Sequence, residues 1–212
     1  FYNEGLVIAK EIGSREHVGI LLSHFGNISR KQGDLSKSER LYRESLAIGW
    51  ETGNRGLEAR SMGHLGDIVY TRGDLNEAER LQRGSQLLFR EVGDKQGEVP
   101  PLNNLGIIAQ ARGDLNEAER LYQECLTICR ETGRRQGEAA SLQNLGNLAR
   151  ERGDIDEAER LNRVSLAIKR EIGDREGESG SLCNLGNIAS NRGDFAEAER
   201  LYKESLGISR EI

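Results

Sequence analysis

Several kinds of residue are scarce in this chain. Its 212 residues include 3 cysteines, 2 prolines and 1 tryptophan, and acidic and basic residues are interspersed, with a net charge of −5. The sequence has no run of eighteen apolar residues, which argues against a membrane-spanning helix. It has no block of basic residues either. We therefore expect neither a membrane nor a nucleic acid as its partner.

The cysteines are odd in number and widely spread, at Cys125, Cys129 and Cys183. Such a set is typical of a reducing compartment, so we expect a cytoplasmic location. Cys125 and Cys129 are four residues apart and share one helix face, where we expect them to be small apolar residues at a helix contact. No further Cys or His ligands accompany them, so we predict neither a metal site nor a cofactor.

A recurring segment dominates the sequence. GDLNEAERL occurs at residues 73–81 and 113–121, and close variants begin at residues 33, 153 and 193, so the period is forty residues without insertion or deletion. A fixed period in this range is typical of a solenoid. We predict one array over residues 1–212. Residues 1–12 form the second helix of a truncated repeat, and five full repeats follow at residues 13–52, 53–92, 93–132, 133–172 and 173–212.

Each repeat is predicted to contain two amphipathic helices, because its apolar residues recur every three or four positions. At the turn between them, Gly153 ends one helix and Asp154 caps the next. Glu157 stands where it can reach back and complete a capping box. At the junction between repeats, a capping residue stands at Ser14, Asn54, Asp94 and Asp174. The same position holds Arg134 in the fourth repeat, which predicts a looser turn there.

On the second helices, Glu precedes a basic residue by four positions, which predicts ion pairs on a solvated outer face. These pairs are Glu39–Arg43, Glu79–Arg83, Glu159–Arg163 and Glu199–Lys203.

Small residues recur where the two helices of a repeat would cross, and they carry a family resemblance. They are Gly26, Gly66, Gly106, Gly146 and Gly186 in the first helices, and Ser38, Ala78, Ala118, Ala158 and Ala198 in the second. With the NLGN and EAER segments, this pattern resembles the tetratricopeptide repeat. The forty-residue unit is similar to that of the spindle-orientation adaptors with Leu-Gly-Asn repeats and of kinesin light chains. HEAT and armadillo repeats share the period, but the small residues and capping glycines favour the tetratricopeptide repeat.

The resemblance implies an all-α fold, an α-solenoid of antiparallel helix pairs forming a right-handed superhelix. It also implies a concave groove lined by the first helices, in which side-chain amides hold an extended peptide. The predicted peptide-binding residues are Asn27, Asn104, Asn144, Asn147, Asn184, Asn187, His24, His64, Asp67, Arg30 and Arg150. The alternative is that the asparagines bond between adjacent repeats and fix the twist of the array.

Three features interrupt the repeat pattern. Ile107 is apolar in a polar column of the groove. Residues 99–101, Val-Pro-Pro, predict a first helix in the third repeat that begins late, near Val99 or Pro100. Trp50 and Phe89 are aromatic residues at predicted outer-face positions.

The residues assemble no nucleophile–base pair, metal cluster or phosphate-binding loop, so we do not predict an enzyme. The predicted function is a protein–protein interaction scaffold that binds an extended segment of a partner. The alternative is the ligand-sensing arm of a larger signalling ATPase or regulator, since the chain begins in mid-repeat without Met and is expected to belong to a longer parent. An engineered or trimmed array is a further possibility. Uncapped terminal helices predict end-to-end self-association.

Overall fold

In the computed structural model, residue 9 and residues 11–211 are described, and this part of the chain contains ten α-helices and no β-strand. The helices are α1 (Arg15–Lys31), α2 (Leu35–Thr52), α3 (Arg55–Thr71), α4 (Leu75–Glu91), α5 (Lys95–Ala111), α6 (Leu115–Glu131), α7 (Arg135–Glu151), α8 (Ile155–Glu171), α9 (Arg175–Asn191) and α10 (Phe195–Glu211). Most of the helix predicted at residues 1–12 lies outside the described residues.

The chain divides into two compact units, Phe1–Ile108 and Ala109–Ile212. Within each unit, helices that follow one another in sequence pack against each other. Odd-numbered helices are the first helices of their pairs and even-numbered helices are the second. The fold is therefore all-α, a solenoid of paired helices, as the sequence predicts.

The turn within each pair is built by Gly and Asp. Gly153 has φ of +85°, a left-handed conformation that favours glycine. The backbone N–H of Asp154 then bonds to Ala149 O at 2.9 Å, and Asp154 Oδ1 accepts from the Glu157 N–H at 3.1 Å. The Asp154 cap is therefore present, but the predicted reach-back by the Glu157 carboxylate is wrong, because the Asp154 N–H is already used by the bond to Ala149 O. The Glu157 carboxylate bonds to Arg160 instead, at 2.6 Å.

The junctions between repeats correct two further expectations. Ser14 does not cap its helix through its side chain, because its hydroxyl is paired with His17 Nδ1 at 2.6 Å. Arg134 also makes no side-chain cap, yet its φ and ψ of −80° and 78° are close to the −77° and 82° of the capping residue Asp174. The turn at Arg134 is therefore not looser. It keeps the common geometry and lacks only the side-chain hydrogen bond.

The start of the third repeat also differs from prediction. Helix α5 begins at Lys95, as its counterparts do, and contains both Pro100 and Pro101. Asp94 accepts from the Gly97 N–H at 2.9 Å and fixes the start of the helix ahead of the prolines. Pro100 is exposed, whereas Pro101 is fully buried.

The two aromatic residues predicted for the outer face differ from each other. Trp50 is 63% exposed, as expected, whereas Phe89 is 4% exposed. The prediction for Phe89 is wrong because its ring packs against Gly97 of the next repeat, where a Cβ would lie 2.3 Å from the ring. The missing side chain at Gly97 makes the space that Phe89 fills.

A set of buried glutamates recurs once in each repeat and was not predicted. Its members are Glu58, Glu98, Glu138 and Glu178, each at most 8% exposed. Glu178 bonds to Arg170 of the preceding helix at 2.8 Å and to Arg175 of its own helix at 2.7 Å. Burial opposes ionisation of Glu178, but the hydrogen bonds from the two arginines outweigh it and lower the pKa of the carboxyl.

The four predicted ion pairs on the second helices are present, with N–O distances of 2.6–2.8 Å. Two of their glutamates also bond to the first helix of the next repeat. Arg72 lies 2.6 Å from Glu39, and Arg192 pairs with Glu159. The outer face therefore links successive repeats as well as stabilising single helices.

Candidate functional site

The predicted peptide-binding residues all lie on first helices, on positions that do not point into the helix-pair core. In each unit we name this surface the first-helix face. In the unit that ends at Ile108 it comprises His24, Asn27, Arg30, His64, Asp67, Tyr70, Asn104 and Ile107. In the unit that begins at Ala109 it comprises Gln110, Asn144, Asn147, Arg150, Asn184, Asn187 and Ser190. All of these side chains are exposed or half-buried.

In the first unit, residues of the second helices hold side chains of this face from beneath. The Tyr42 hydroxyl donates to Asn27 Oδ1 at 2.8 Å, and the Tyr42 ring stacks on the His64 ring with centroids 4.8 Å apart. Tyr42 itself is fully buried. Because its oxygen is engaged, the Asn27 amide keeps its N–H groups for other acceptors.

Asp67 is the carboxylate of this surface. Its Oδ1 accepts from Gln82 Nε2 at 2.9 Å and from Asn104 Nδ2 at 2.6 Å. Burial nevertheless raises the pKa of Asp67 to about 6, against the opposing effects of the Arg30 charge and the Gln82 hydrogen bond. The Gln82 amide is oriented by Asp67, and its own Oε1 is buried without a hydrogen-bond partner among the described residues.

The pKa of His64, one helical turn before Asp67, shifts in the opposite direction. Burial lowers the pKa of His64 to about 4, helped by the positive charges of Arg30 and Arg60 and by His24. His64 is therefore neutral near pH 7. The first-helix face of this unit combines a neutral imidazole, the exposed cation Arg30 and a carboxylate that titrates in mildly acidic solution.

In the second unit, a tyrosine again holds an asparagine of the first-helix face. The Tyr202 hydroxyl donates to Asn187 Oδ1 at 2.7 Å, and Asn187 is exposed. Asn147 is half-buried and makes no hydrogen bond with the described residues. In a third pair, Tyr122 bonds to Gln110 Oε1 at 3.2 Å. Unlike the two asparagines, Gln110 also uses its amide nitrogen, which donates to Glu151 at 2.6 Å.

Some asparagines also bond between adjacent repeats, which was the alternative role for this set. Asn104 donates to Asp67 of the preceding repeat, as described above. Asn184 Nδ2 lies 3.5 Å from Asn162 Oδ1, a long contact with the preceding repeat. Asn27 and Asn187, in contrast, are held by tyrosines of their own repeats. Asn104 and Asn184 therefore contact the preceding repeat, whereas the amide nitrogens of Asn27 and Asn187 stay available.

One charged residue beneath this face was missed from the sequence. Lys169 of α8 is 6% exposed, and its Nζ donates to Gln143 and, at 2.9 Å, to Ser181. Burial lowers the pKa of Lys169, and the charge of Asp174 only partly offsets this. The available signal was the repeat itself, because Gly49, Phe89 and Cys129 stand at the equivalent position and none is charged.

The cysteines of α6 behave as small apolar residues. Cys125 and Cys129 are buried and unbonded to each other, and burial raises the pKa of both thiols. Within residues 9 and 11–211, no three His, Cys, Asp or Glu side chains stand close enough to hold a metal ion.

None of the ten helices is both long enough and apolar enough to cross a membrane, as far as the described residues go.

Family models identify the repeats. A tetratricopeptide repeat model matches residues 6–85 and 100–171, and a second tetratricopeptide repeat model matches residues 180–212. These matches cover well over half of the chain, which therefore belongs to the tetratricopeptide repeat family. The predicted family is confirmed. No curated protein matches the sequence.

Solved structures share the fold at low sequence identity. BtubC (BKLC) from P. vanneervenii is 23% identical with a TM-score of 0.80, covering 99% of this chain and 89% of its own. A Rap protein complexed with competence and sporulation factor is 14% identical with a TM-score of 0.82, covering 93% and 54%. A signal transduction ATPase with numerous domains from Pyrococcus horikoshii, which has a tetratricopeptide repeat sensor, is 16% identical with a TM-score of 0.75, covering 99% and 33%.

Family and fold together define the class of protein. The chain is a protein-interaction scaffold, and no catalytic family matches it.

Proposed function

We propose that the first-helix face binds an extended peptide segment of a partner protein. The observation that carries this proposal is the orientation of two amides, one in each unit. Asn27 and Asn187 each give their oxygen to a tyrosine beneath, so their N–H groups are left for the carbonyl oxygens of a ligand. An extended peptide offers such an acceptor at every residue, whereas a folded surface offers few.

The Rap protein supports the proposal by analogy, because it has this fold and was solved with competence and sporulation factor. The binding residues of this chain are then those predicted from the sequence. Arg30 and Arg150 are exposed cations at the edge of the face and suit acidic side chains of the ligand. A reducing, cytoplasmic setting, which cysteines that form no disulfide suit, is part of the same proposal.

A capture experiment tests this function. The chain is immobilised and partners are recovered from extract, in parallel with a variant in which Asn144, Asn147, Asn184 and Asn187 are replaced by Ala. A control variant carries Ala at exposed outer-face positions of the same unit, Gln123, Arg163, Glu199 and Lys203. We expect the asparagine variant to lose partners that the control retains. Equal recovery by both variants would overturn the proposal.

A second candidate is the ligand-sensing arm of a larger signalling ATPase. The repeat sensor of the Pyrococcus horikoshii ATPase has this fold, which favours the idea. The same first-helix face would bind the ligand in both cases. The full reading frame of the parent separates the two candidates, since a nucleotide-binding domain in it would support the sensor.

A further inference from the structure

Lys169 is a buried cation whose burial is only partly offset by the charge of Asp174. Its residue is 6% exposed, and no described carboxylate lies within 4.0 Å of its Nζ. The nearest helices provide only neutral acceptors, Gln143 of α7 and Ser181 of α9. An ammonium group that is removed from water with only a partial counter-charge is unfavourable, so an anion that binds close to Lys169 is stabilised.

Lys169 also fixes the direction of the Gln143 amide. An ammonium group has only donors, so the oxygen of Gln143 must face Lys169 and the two amide hydrogens must point away from it. Gln143 is half-buried, and its Nε2 donates to no described residue. The result is an oriented N–H donor on α7 with a positive charge directly beneath it.

This donor lies next to the first-helix face. Gln143 lies four residues before Asn147, so the two share one side of α7, and Ser181 lies three residues before Asn184 on α9. A ligand on the asparagines of α7 and α9 therefore passes beside Gln143. No other repeat has this arrangement, because the positions equivalent to Lys169 hold Gly49, Phe89, Cys129 and Ser209.

From this geometry we propose that Gln143, above Lys169, forms a site for a carboxylate group of the bound peptide. The Gln143 amide donates to the carboxylate, and the Lys169 ammonium supplies the counter-charge from below. The proposal rests on the proposed function and adds the chemistry of one ligand group. A carboxylate is favoured over a peptide carbonyl because only an anion compensates the buried charge.

Three short probes test the site and distinguish the source of the carboxylate. They are acetyl-Ala-Glu-Ala-amide, its Gln counterpart acetyl-Ala-Gln-Ala-amide, and acetyl-Ala-Ala-Ala with a free C-terminal carboxylate. Each is titrated at constant ionic strength while the side-chain amide signals of the protein are followed by NMR. We expect the Gln143 amide to shift with at least one carboxylate probe and not with the Gln probe. The probe that binds better identifies a side-chain or a C-terminal carboxylate.

Variants assign the effect to the buried lysine. Lys169→Met should weaken binding of the carboxylate probe roughly tenfold, since the positive charge beneath the carboxylate is lost. The matched control is Lys203→Met, which removes an exposed lysine from the next second helix and should leave binding unchanged. If the Met variant unfolds, Lys169→Cys replaces it in the test, because the preceding repeat has Cys129 at the equivalent position.

The outcomes separate this proposal from the proposed function. Equal probe binding by the Lys169 and Lys203 variants, or no shift of the Gln143 amide, overturns the carboxylate site. If the quadruple asparagine variant still loses its partners in that case, the peptide-binding face stands without the carboxylate site. If the quadruple asparagine variant keeps its partners while the Gln143 amide shifts with a carboxylate probe, the carboxylate site stands. The proposal that the first-helix face binds an extended peptide is then overturned.

Discussion

The hydroxyl group of Tyr42 donates a 2.8 Å hydrogen bond to Asn27 Oδ1, and its ring packs directly against Gly26. A Cβ at Gly26 would lie 2.5 Å from Tyr42 Cε1. The glycine thus makes room for the aromatic ring that positions the next residue of the chain. The same relationship links Gly186, Tyr202 and Asn187, with a Cβ distance of 2.6 Å. The same tyrosine therefore packs the helix pair and orients the asparagine amide at the surface.

Gly26→Ala should destabilise the protein by about 1–3 kcal/mol, because the added methyl group overpacks against Tyr42. The matched control is Gly180→Ala, another glycine in a first helix, where a Cβ would meet nothing within 4 Å. That variant should gain roughly 0.5–1 kcal/mol from helix propensity. Urea unfolding followed by circular dichroism measures both. A stabilising Gly26→Ala would show that the ring gives way freely and that the pair is not tightly packed.

The periodic residues explain how much of this could be predicted from the sequence. Positions that repeat every forty residues, such as Gly26 and Asp154, have one local role in every repeat and revealed the fold. The first-helix columns could be placed on one face for the same reason. Lys169 was missed because it departs from its column, and its environment depends on Gln143 and Ser181 in two other helices.

Phe89 was misplaced for the same reason, since only the neighbouring Gly97 makes space for it. Pro100 shows a different difficulty. Its effect on α5 depends on whether the cap at Asp94 has already fixed the helix start, and a local sequence rule does not include that competition. Periodicity therefore predicted the architecture, and single departures from it required the structure.

Asp67→Asn should change the dependence of stability on pH. The folded-state pKa of Asp67 is raised to about 6 from an ordinary value of 3.8, so the folded protein holds this proton more tightly than the unfolded chain. Stability contributed by this group is present below about pH 4 and is lost as pH rises to about 6. The Asn variant does not titrate, so its stability relative to wild type should increase over that interval, by an amount on the order of 1–3 kcal/mol. Urea midpoints at pH 4, 5, 6 and 7 measure the difference, and parallel curves would show that Asp67 is not perturbed.

His64→Asn should also change the dependence of stability on pH, in the direction opposite to Asp67→Asn and over an overlapping pH range. The pKa of His64 is lowered to about 4 from 6.5, so the unfolded chain takes up a proton before the folded protein does. Wild type therefore loses stability as pH falls from about 6.5 to about 4, again on the order of 1–3 kcal/mol. Asn is the residue at the equivalent position in the next three repeats, and the variant should lose less on acidification. Loss of the stacking on Tyr42 changes the free energy of unfolding by the same amount at every pH, so it does not change the pH dependence. An unchanged slope would contradict the assignment.

Arg134→Asp should stabilise the protein by about 1 kcal/mol. Arg134 has the backbone dihedral angles of a capping residue and makes no side-chain cap, so Asp there can accept from the backbone N–H three residues later. A negative charge also suits the N-terminus of α7. The reciprocal control is Asp174→Ala, which removes the 2.9 Å bond to the Gly177 N–H and should cost a similar amount. If Arg134→Asp destabilises while Asp174→Ala behaves as expected, the interactions of the Arg134 side chain outweigh the missing cap.

The apolar face of α10 should cause self-association at high concentration. Phe195 is 71% exposed and Leu206 is 50% exposed, whereas the equivalent Leu166 of α8 is 7% exposed in the cluster that α8 shares with α9. Among the described residues no helix covers α10 in the way that α9 covers α8. Replacing Phe195 and Leu206 by Glu should therefore lower the apparent mass in light scattering at high concentration. The control Trp50→Glu removes a comparably exposed aromatic residue from α2 and should leave the mass unchanged. A wild-type protein that stays monomeric over a roughly hundredfold range of concentration would show that this face does not drive association.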